Sequence, residues 1–289
     1  MNYNDFIKAL EAELNKREIK YSYDYIYKNG NKFDVLILQL EDGIEKPTMD
    51  PVLYLEMTYE KYCKGNSISE LLDAFEDDYI NQKRDVMRVT YLMEKFDRAA
   101  PYLYCKVVNK DRYKEYVVRK GCIHKEFLDL YIIPIVRYQG YVSEISKRIA
   151  QHWEVTEKQI LDAAIKRIQD EQYLFNNISQ FLEGVENVEC NIPMYVFTNQ
   201  DMMYGAGKIL SPEILKTIEK TLNGKYWIIP SSIHECIIIP FSNEVNPKKI
   251  KKMIREVNAT EVSEEDYLSD SLYEYTGKEI IIVGEEGGC

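Results

Sequence analysis

The stretch Tyr226-Trp-Ile-Ile-Pro-Ser-Ser-Ile-His-Glu-Cys-Ile-Ile-Ile-Pro240 decides the fold of this half of the chain. Its two apolar runs, 226–229 and 236–239, are short and are followed by prolines, a pattern typical of buried β-strands. Buried polar groups need hydrogen-bond partners, because an unpaired group costs free energy. We therefore expect the polar residues between the runs to form either a bonded structural corner or a functional site. We call them the His234 corner: Ser231, Ser232, His234 and Glu235.

A second polar segment, Thr198-Asn-Gln-Asp-Met-Met-Tyr-Gly-Ala-Gly-Lys208, precedes the corner. Its glycines and Lys208 suggest a phosphate-binding loop, but the first glycine of that motif is missing and Ile209 replaces the magnesium-binding Ser or Thr. We favour glycines that allow close backbone approach. The segment and the corner are predicted to share one sheet end and to form a polar cleft. The candidate binding residues are Asn199, Asp201, Tyr204, Gly205, Ser231, Ser232, His234 and Glu235.

The corner matches no complete catalytic or metal motif. His234-Glu235 would begin a His-Glu-x-x-His zinc motif, but Ile238 stands where the second histidine is required. In an extended chain Ser232 and His234 point to the same side, so a hydroxyl–imidazole contact is possible. A serine nucleophile needs a sharp turn and backbone donors for an oxyanion, which Pro-Ser-Ser-Ile does not provide. We predict no metal and no cofactor.

Hairpins and amphipathic helices alternate along the rest of the chain. Residues 20–27 and 33–40 form a predicted hairpin around Asn29-Gly30, and 102–108 and 127–136 are predicted strands. Ser67 with Glu70, and Thr156 with Gln159, have the spacing of helix-capping boxes. We also predict helices from Asp50 to Gly65, from Ser67 to about Tyr79 and from Asp85 to Arg98.

These elements predict an α+β fold with two lobes of largely antiparallel sheet and flanking helices. The N-terminal lobe is expected to span 1–170 and the C-terminal lobe 191–289. The polar segment 171–190 is the predicted connection.

Three charged features have alternative interpretations. Asp129 is either a hydrogen-bonding residue at a strand end or a site carboxylate, and we favour the first. Glu76-Asp-Asp78 points in different directions on a helix, which favours a solvated face over a metal site. The basic run at 248–255 has the spacing of a solvated helix face, which we favour over a phosphate site.

The composition of the chain restricts which classes of binding partner and which cellular compartment we expect. The net charge of -11 disfavours nonspecific nucleic-acid binding, which needs clustered Lys and Arg. No apolar run approaches the roughly 20 residues of a membrane span, and the polar start of the chain predicts no signal peptide. The six cysteines lack metal-ligand spacing, which favours reduced thiols in the cytoplasm. The 24 tyrosines suit interfaces and half-buried strands.

Several motifs resemble a known family. They are Tyr27-Lys-Asn-Gly30, Tyr59 to Gly65, Phe127-Leu-Asp-Leu130, Trp153 to Ala163, Met194-Tyr-Val-Phe-Thr-Asn199, Tyr204-Gly-Ala206, Ile228-Ile-Pro-Ser-Ser-Ile-His-Glu235 and Leu268-Ser-Asp-Ser-Leu-Tyr-Glu-Tyr275. In this order they resemble the uncharacterised bacterial proteins grouped as domain of unknown function 5688. The chain departs from that pattern at Gly207, Lys208 and Cys236. The resemblance implies a cytoplasmic bacterial protein and implies no activity, substrate or cofactor.

Three functional hypotheses follow. We favour a non-enzymatic cytoplasmic binding or interaction protein, whose partner is a protein or a small-molecule ligand in the cleft near His234. The alternative is a hydrolase or transferase of undefined class, with His234 as general base beside Ser232, Glu235 or Asp201. The third is purely structural, with His234 capping a neighbouring loop.

Overall fold

A computed structural model describes residues 1–28, 31–39, 51–178 and 193–284. The chain divides into two compact units, Met1–Arg98 and Ala99–Cys289. The predicted α+β class is confirmed, and the strands form three antiparallel sheets. In the described part of the chain, no helix has the length and apolar character that crossing a membrane requires.

The first unit packs helices on a three-stranded antiparallel sheet with the order β1-β2-β3. Its elements are α1 (Tyr3–Lys16), β1 (Lys20–Lys28), β2 (Asn31–Gln39), β3 (Val52–Tyr54), α2 (Leu55–Cys63), α3 (Ile68–Met93) and α4 (Phe96–Ala99). The predicted hairpin is confirmed by the pairing of β1 with β2, and its turn at 29–30 lies outside the described residues. Ser67 and Glu70 form the predicted capping box at the start of α3.

Apolar side chains from every layer of this unit form one core. Its buried members are Phe6, Leu10, Leu14, Leu36, Leu38, Leu53, Leu55 and Leu72. At the edge of the core, Arg17 forms ion pairs with Asp73 at 2.7 Å and Glu76 at 3.0 Å. Glu76 therefore joins α1 to α3, and no metal-binding group of three His, Cys, Asp or Glu side chains occurs among the described residues.

Two helix predictions in this unit are wrong. The segment 52–54 forms a strand against β2, with Leu53 opposite Leu36, so the helix begins at Leu55 rather than at Asp50. The two helices predicted over 67–98 are largely one helix, since α3 runs without a break to Met93.

The second unit contains two sheets. Its elements begin with a short 3-10 helix at Ala100–Tyr102 and continue as β4 (Leu103–Asn109), α5 (Lys110–Lys120), β5 (Lys125–Phe127), β6 (Leu130–Tyr138), β7 (Tyr141–Glu144), α6 (Lys147–His152), α7 (Glu157–Asp170), β8 (Tyr173–Asn177), β9 (Tyr195–Asn199), a 3-10 helix (Gly205–Leu210), α8 (Pro212–Leu222), β10 (Tyr226–Ile229), β11 (Cys236–Pro240), α9 (Pro247–Thr260), β12 (Tyr273–Tyr275) and β13 (Ile280–Ile282). The predicted strands on either side of the His234 corner are thus β10 and β11.

The strands β10 and β11 lie in the middle of a six-stranded sheet with the order β13-β12-β10-β11-β9-β8. They pair with each other antiparallel, with Trp227 opposite Ile239, and both side chains are buried. The other sheet contains β4, β6 and β5 in that order, with β7 beside β6. The helix α7 begins at the predicted capping box of Thr156 and Gln159.

The division of the chain differs from the predicted one, because the boundary between units falls after Arg98. Part of the predicted connection, Tyr173–Asn177, is strand β8, which pairs with β9 and places Tyr173 opposite Asn199. Residues 179–190 of that connection lie outside the described residues. The segment 171–190 as a whole is rich in polar residues, which made it resemble a linker.

Candidate functional site

The His234 corner folds back on itself through the side chain of Ser232. The backbone N–H of His234 donates to Ser232 Oγ at 3.0 Å, and that hydroxyl donates to Glu235 Oε1 at 2.9 Å. The backbone N–H of Ser232 also donates to the Glu235 carbonyl at 3.2 Å. The Ser232 hydroxyl is therefore engaged by the turn between β10 and β11 and is not directed at the imidazole as a nucleophile would be.

Both ring nitrogens of His234 are hydrogen-bonded. The backbone N–H of Tyr204 donates to Nδ1 at 3.2 Å, and Nε2 lies 3.2 Å from Asp266 Oδ1. Because Nδ1 accepts a hydrogen bond, the proton of a neutral ring lies on Nε2 and is donated to Asp266. The imidazole is 29% exposed, yet it has no lone pair left for a substrate proton. The ring caps the loop that ends at Tyr204.

Asp266 is a partner that the sequence did not indicate. Its Oδ2 accepts a hydrogen bond from the Ser263 hydroxyl at 2.8 Å, and its carbonyl accepts one from the N–H of Ile233 at 2.9 Å. Arg112 stacks over the Tyr267 ring at 3.9 Å and holds the same turn. The Ser-x-x-Asp spacing of 263–266 is the signal that could have identified this turn.

Gly205 lies where the loop and the corner approach most closely. A Cβ atom at this position would be 2.0 Å from Thr198 Oγ1 and 2.6 Å from the His234 carbonyl oxygen. These two atoms are themselves joined, since the Thr198 hydroxyl donates to the His234 carbonyl at 2.7 Å. Only glycine fits without displacing backbone. The predicted role of this glycine, close backbone approach, is the one observed.

Asn199 fixes the loop from the inside. Its side chain is fully buried, accepts the N–H of Met203 at 3.1 Å and donates to the Met203 carbonyl at 3.0 Å. The same amide donates to the Tyr104 hydroxyl at 2.8 Å. Its polar atoms are thus used within the fold, so Asn199 shapes the loop and does not present itself to a ligand.

Lys208 does not form a phosphate site. Its side chain is completely buried, and Nζ donates to the carbonyls of Ile168 and Glu171, each at 2.6 Å. It also forms an ion pair with the Glu171 carboxylate at 3.2 Å. Burial lowers the pKa of the Lys208 ammonium, and Glu171 opposes that shift. The lysine neutralises the carbonyl end of α7.

Asp129 is a structural acceptor, as the favoured interpretation expects. The hydroxyls of Ser269 and Ser271 donate to its Oδ2 at 2.5 and 2.8 Å, and the Tyr273 hydroxyl donates to its Oδ1. Two of the motifs that carry the family resemblance, 127–130 and 268–275, therefore meet at this carboxylate. Burial and the Asp129 charge raise the pKa of Tyr273.

A buried ion pair inside the four-stranded sheet was not predicted. Lys106 Nζ lies 2.5 Å from Glu144 Oε1 and donates to the Tyr113 hydroxyl at 3.1 Å. The Tyr116 hydroxyl donates to the other oxygen of Glu144, and the Cys122 thiol lies 3.5 Å from it. Burial raises the pKa of Tyr113 and that of Cys122, each to about 12. Residues 102–108 are mostly apolar, so the sequence pattern did not indicate that Lys106 forms a buried ion pair with Glu144.

An open cavity of about 260 Å³ is lined in part by Asp201 and Met203 of the 199–204 loop. We call it the tyrosine–arginine cavity. Of the eight predicted site residues, only Asp201 lines it within the described part of the chain. The lining comes from the start of β4, the β6–β7 turn, the end of α7 and the loop, and comprises Pro101 to Tyr104, Arg137 to Val142, Arg167, Glu171, Asp201 and Met203.

Three of the four charged groups in the cavity lining are bonded to other groups of the fold. Arg137 donates to Asp201 Oδ2 at 3.0 Å and to the Met203 carbonyl at 3.3 Å. The Tyr104 hydroxyl donates to Glu171 Oε2 at 2.5 Å. Burial and the Glu171 carboxylate raise the pKa of Tyr104, so its hydroxyl stays protonated and acts as a donor.

Comparison with known proteins gives a family and no function. The model of a family of unknown function, DUF5688, matches residues 3–277, which is almost the entire chain. No curated protein and no solved structure matches.

Proposed function

We propose a function from the geometry of the site, since membership of the family does not supply one: the chain belongs to DUF5688, a family of unknown function. The protein is a non-enzymatic binding protein, and its ligand is a small molecule that enters the tyrosine–arginine cavity. The His234 corner fixes the 199–204 loop, and this loop contributes Asp201 and Met203 to the lining of the site. The binding role is therefore close to His234 without using the imidazole.

The proposal rests on one difference between the His234 corner and the cavity: how completely their polar groups are hydrogen-bonded within the fold. On the corner side, the His234 ring has a partner on each nitrogen. On the cavity side, an open concave surface combines aromatic rings with charged groups, which is the usual composition of a small-molecule site. A general base needs an accessible lone pair, so a hydrolase or transferase built on His234 has less support.

We also propose that the protein is located in the cytoplasm of a bacterium. The four cysteines within the described residues, Cys63, Cys105, Cys122 and Cys236, are free thiols, as a reducing compartment favours. The net charge of -11 supports a partner other than nucleic acid.

A thermal-shift screen tests the proposal. The probes are benzoate, phenyl phosphate, benzylamine, benzamide, glucose and glycine, each added to wild type and to two variants. Tyr102→Ala removes a ring of the cavity, and Tyr91→Ala removes an exposed ring of the first unit as the control.

We expect at least one probe to raise the melting temperature of wild type by about 3 °C at ten times its Kd. That increase should persist in Tyr91→Ala and shrink in Tyr102→Ala. The proposal fails if no probe stabilises wild type, or if Tyr102→Ala responds to every probe as wild type does.

A further inference from the structure

The carboxylates of the tyrosine–arginine cavity already have cationic partners. Glu171 forms an ion pair with the buried ammonium of Lys208 at 3.2 Å and accepts the Tyr104 hydroxyl. Asp201 pairs with Arg137 at 3.0 Å. A cationic ligand would therefore meet carboxylates whose charge is already balanced, that of Glu171 by a lysine that is completely buried.

Arg167 is the charge that these pairs leave uncompensated. Among the described residues, its guanidinium has no carboxylate or other acceptor bonded to it, and the residue is exposed at the cavity. It lies in the last turn of α7, where the helix dipole would ordinarily provide negative charge. Lys208 already binds the carbonyls of Ile168 and Glu171 there. If the buried Lys208 beside Glu171 is counted with the lining, three positive side chains face two carboxylates, and Arg167 is the one without a bonded carboxylate among the described residues.

Aromatic rings line the space in front of this charge. Tyr102 and Tyr138 meet edge to face with centroids 5.0 Å apart, and Tyr141 lies on the same wall. The Tyr104 ring is covered by Arg137, whose Cζ lies 4.9 Å from the ring centroid. One of the four tyrosine rings in the lining is thus already covered by a cation of the protein.

The volume limits the size of the ligand. An apolar cavity of about 150 Å³ accommodates benzene. The tyrosine–arginine cavity measures about 260 Å³, which is enough for one aromatic ring and a charged head group. A guanidinium binds carboxylate and phosphate oxygens through paired N–H donors, and tyrosine rings favour a flat apolar body.

We propose that the ligand of the cavity is a small aryl carboxylate or aryl phosphate. Its anionic head binds the Arg167 guanidinium, and its ring packs among Tyr102, Tyr138 and Tyr141. This inference rests on the proposed binding function and specifies the chemistry of the same site. Carboxylate and phosphate share the recognition by Arg167, and the two head groups are distinguished by experiment.

Calorimetric titration tests the inference with four probes. Benzoate and phenyl phosphate carry both the ring and the anion, inorganic phosphate carries the anion alone, and benzylamine carries the ring with a positive charge. Each is titrated into wild type, Arg167→Gln and Lys166→Gln. Lys166 is the matched control, because it removes one positive charge from the same helix at a side chain that is 73% exposed and paired with Asp170.

We expect benzoate or phenyl phosphate to bind wild type at least about tenfold more tightly than inorganic phosphate or benzylamine. Arg167→Gln should weaken that binding by about 10- to 100-fold, as the loss of a charge-assisted hydrogen bond does. Lys166→Gln should stay within about twofold of wild type. The tighter of the two aryl anions identifies the head group.

The inference is overturned if benzylamine binds as tightly as the anions, if neither aryl anion binds wild type, or if Arg167→Gln binds them as wild type does. In each of these cases the thermal-shift screen decides separately on the proposed function. A neutral or cationic probe whose effect depends on Tyr102 would leave the binding function intact and change only the ligand class. The absence of any Tyr102-dependent probe would remove both.

Discussion

The 199–204 loop contributes to two polar regions, which differ in whether every charged side chain has a bonded partner. The first, the His234 corner, connects Ser232, Glu235, Tyr204 and Asp266 in a continuous set of hydrogen bonds. The second, the tyrosine–arginine cavity, contains Arg167 with no bonded acceptor among the described residues. A cluster of polar side chains that satisfy one another stabilises a fold, whereas an uncompensated charge in an open cavity is available to a ligand.

The corner also shows why a suggestive set of residue types is weak evidence for catalysis. Ser232, His234 and Asp266 are the residue types of a catalytic triad, and Asp266 does contact the imidazole. The remaining ring nitrogen accepts a backbone N–H, and the serine hydroxyl bonds to Glu235. The roles are therefore those of a structural joint, since a triad is recognised by geometry rather than by composition.

Replacing Lys208 should have the largest effect on stability. Lys208→Met leaves the Glu171 carboxylate and the last carbonyls of α7 without their cation, so we expect the free energy of unfolding to fall by about 3–5 kcal/mol. Lys220→Met, at an exposed position on α8, should change it by less than about 0.5 kcal/mol. Urea unfolding monitored by circular dichroism measures both. Equal stability of the two variants would contradict the structural role given to Lys208.

A methyl group at Gly205 should have the next largest effect. Its Cβ would overlap Thr198 Oγ1 and the His234 carbonyl, so we expect Gly205→Ala to lower the free energy of unfolding by about 3 kcal/mol. Gly224→Ala is the control, because a Cβ there meets nothing within 4 Å. Thermal unfolding distinguishes them, and a Gly205→Ala protein as stable as wild type would show that the loop and the corner are not joined as described.

Removal of the imidazole should have a moderate effect. His234→Ala leaves the Tyr204 N–H and the Asp266 carboxylate without their partner, which should cost about 1–2 kcal/mol because the ring is partly exposed. For a unit of this size, that corresponds to a decrease in melting temperature of about 2–8 °C. His124→Ala tests whether the loss is particular to the corner, since the His124 imidazole bonds to the Cys122 carbonyl two residues away and meets the Tyr131 ring edge to face, with no part in the 199–204 loop. An unchanged melting temperature for His234→Ala would weaken the structural account of the corner.

Neutralising Arg167 should have the smallest effect on stability. Arg167→Gln removes an exposed charge with no bonded acceptor among the described residues, so we expect its free energy of unfolding to stay within about 0.5 kcal/mol of wild type. The same unfolding assay applies, with Lys166→Gln as the comparison. A loss as large as that of His234→Ala would mean that Arg167 also holds the fold together.

The parts of the fold that depend on local patterns could be predicted from the sequence. The capping boxes at Ser67 and Thr156 and the strands on either side of the corner follow from residue types a few positions apart, and all are confirmed. The boundary between the units could not be predicted. It depends on which distant segments pair, and a five-residue edge strand such as β8 within a polar segment gives no distinct signal.

The sequence predicted a polar cleft at the loop and the His234 corner, and of its eight candidate residues Asp201 lines the cavity. The sequence identified the loop and its glycines, and Gly205 is indeed required for a close backbone approach. It could not show which polar residues would pair with each other, because the partners lie far apart in the chain: Asn199 with Tyr104, Asp201 with Arg137, and His234 with Asp266. The position of Arg167 at the cavity depends on the end of α7 and the loop meeting in space.

The most direct test compares the two regions in one experiment: urea unfolding of wild type, His234→Ala and Arg167→Gln, each with and without the tighter aryl anion at 100 times its wild-type Kd. We expect the ligand to add about 2.7 kcal/mol to the free energy of unfolding of wild type. His234→Ala loosens the loop but removes no group that contacts the ligand, so it should keep at least about 2 kcal/mol of that increment. Arg167→Gln, although as stable as wild type without ligand, should lose about half of the increment or more. A ligand increment that is lost in His234→Ala and kept in Arg167→Gln would contradict the account.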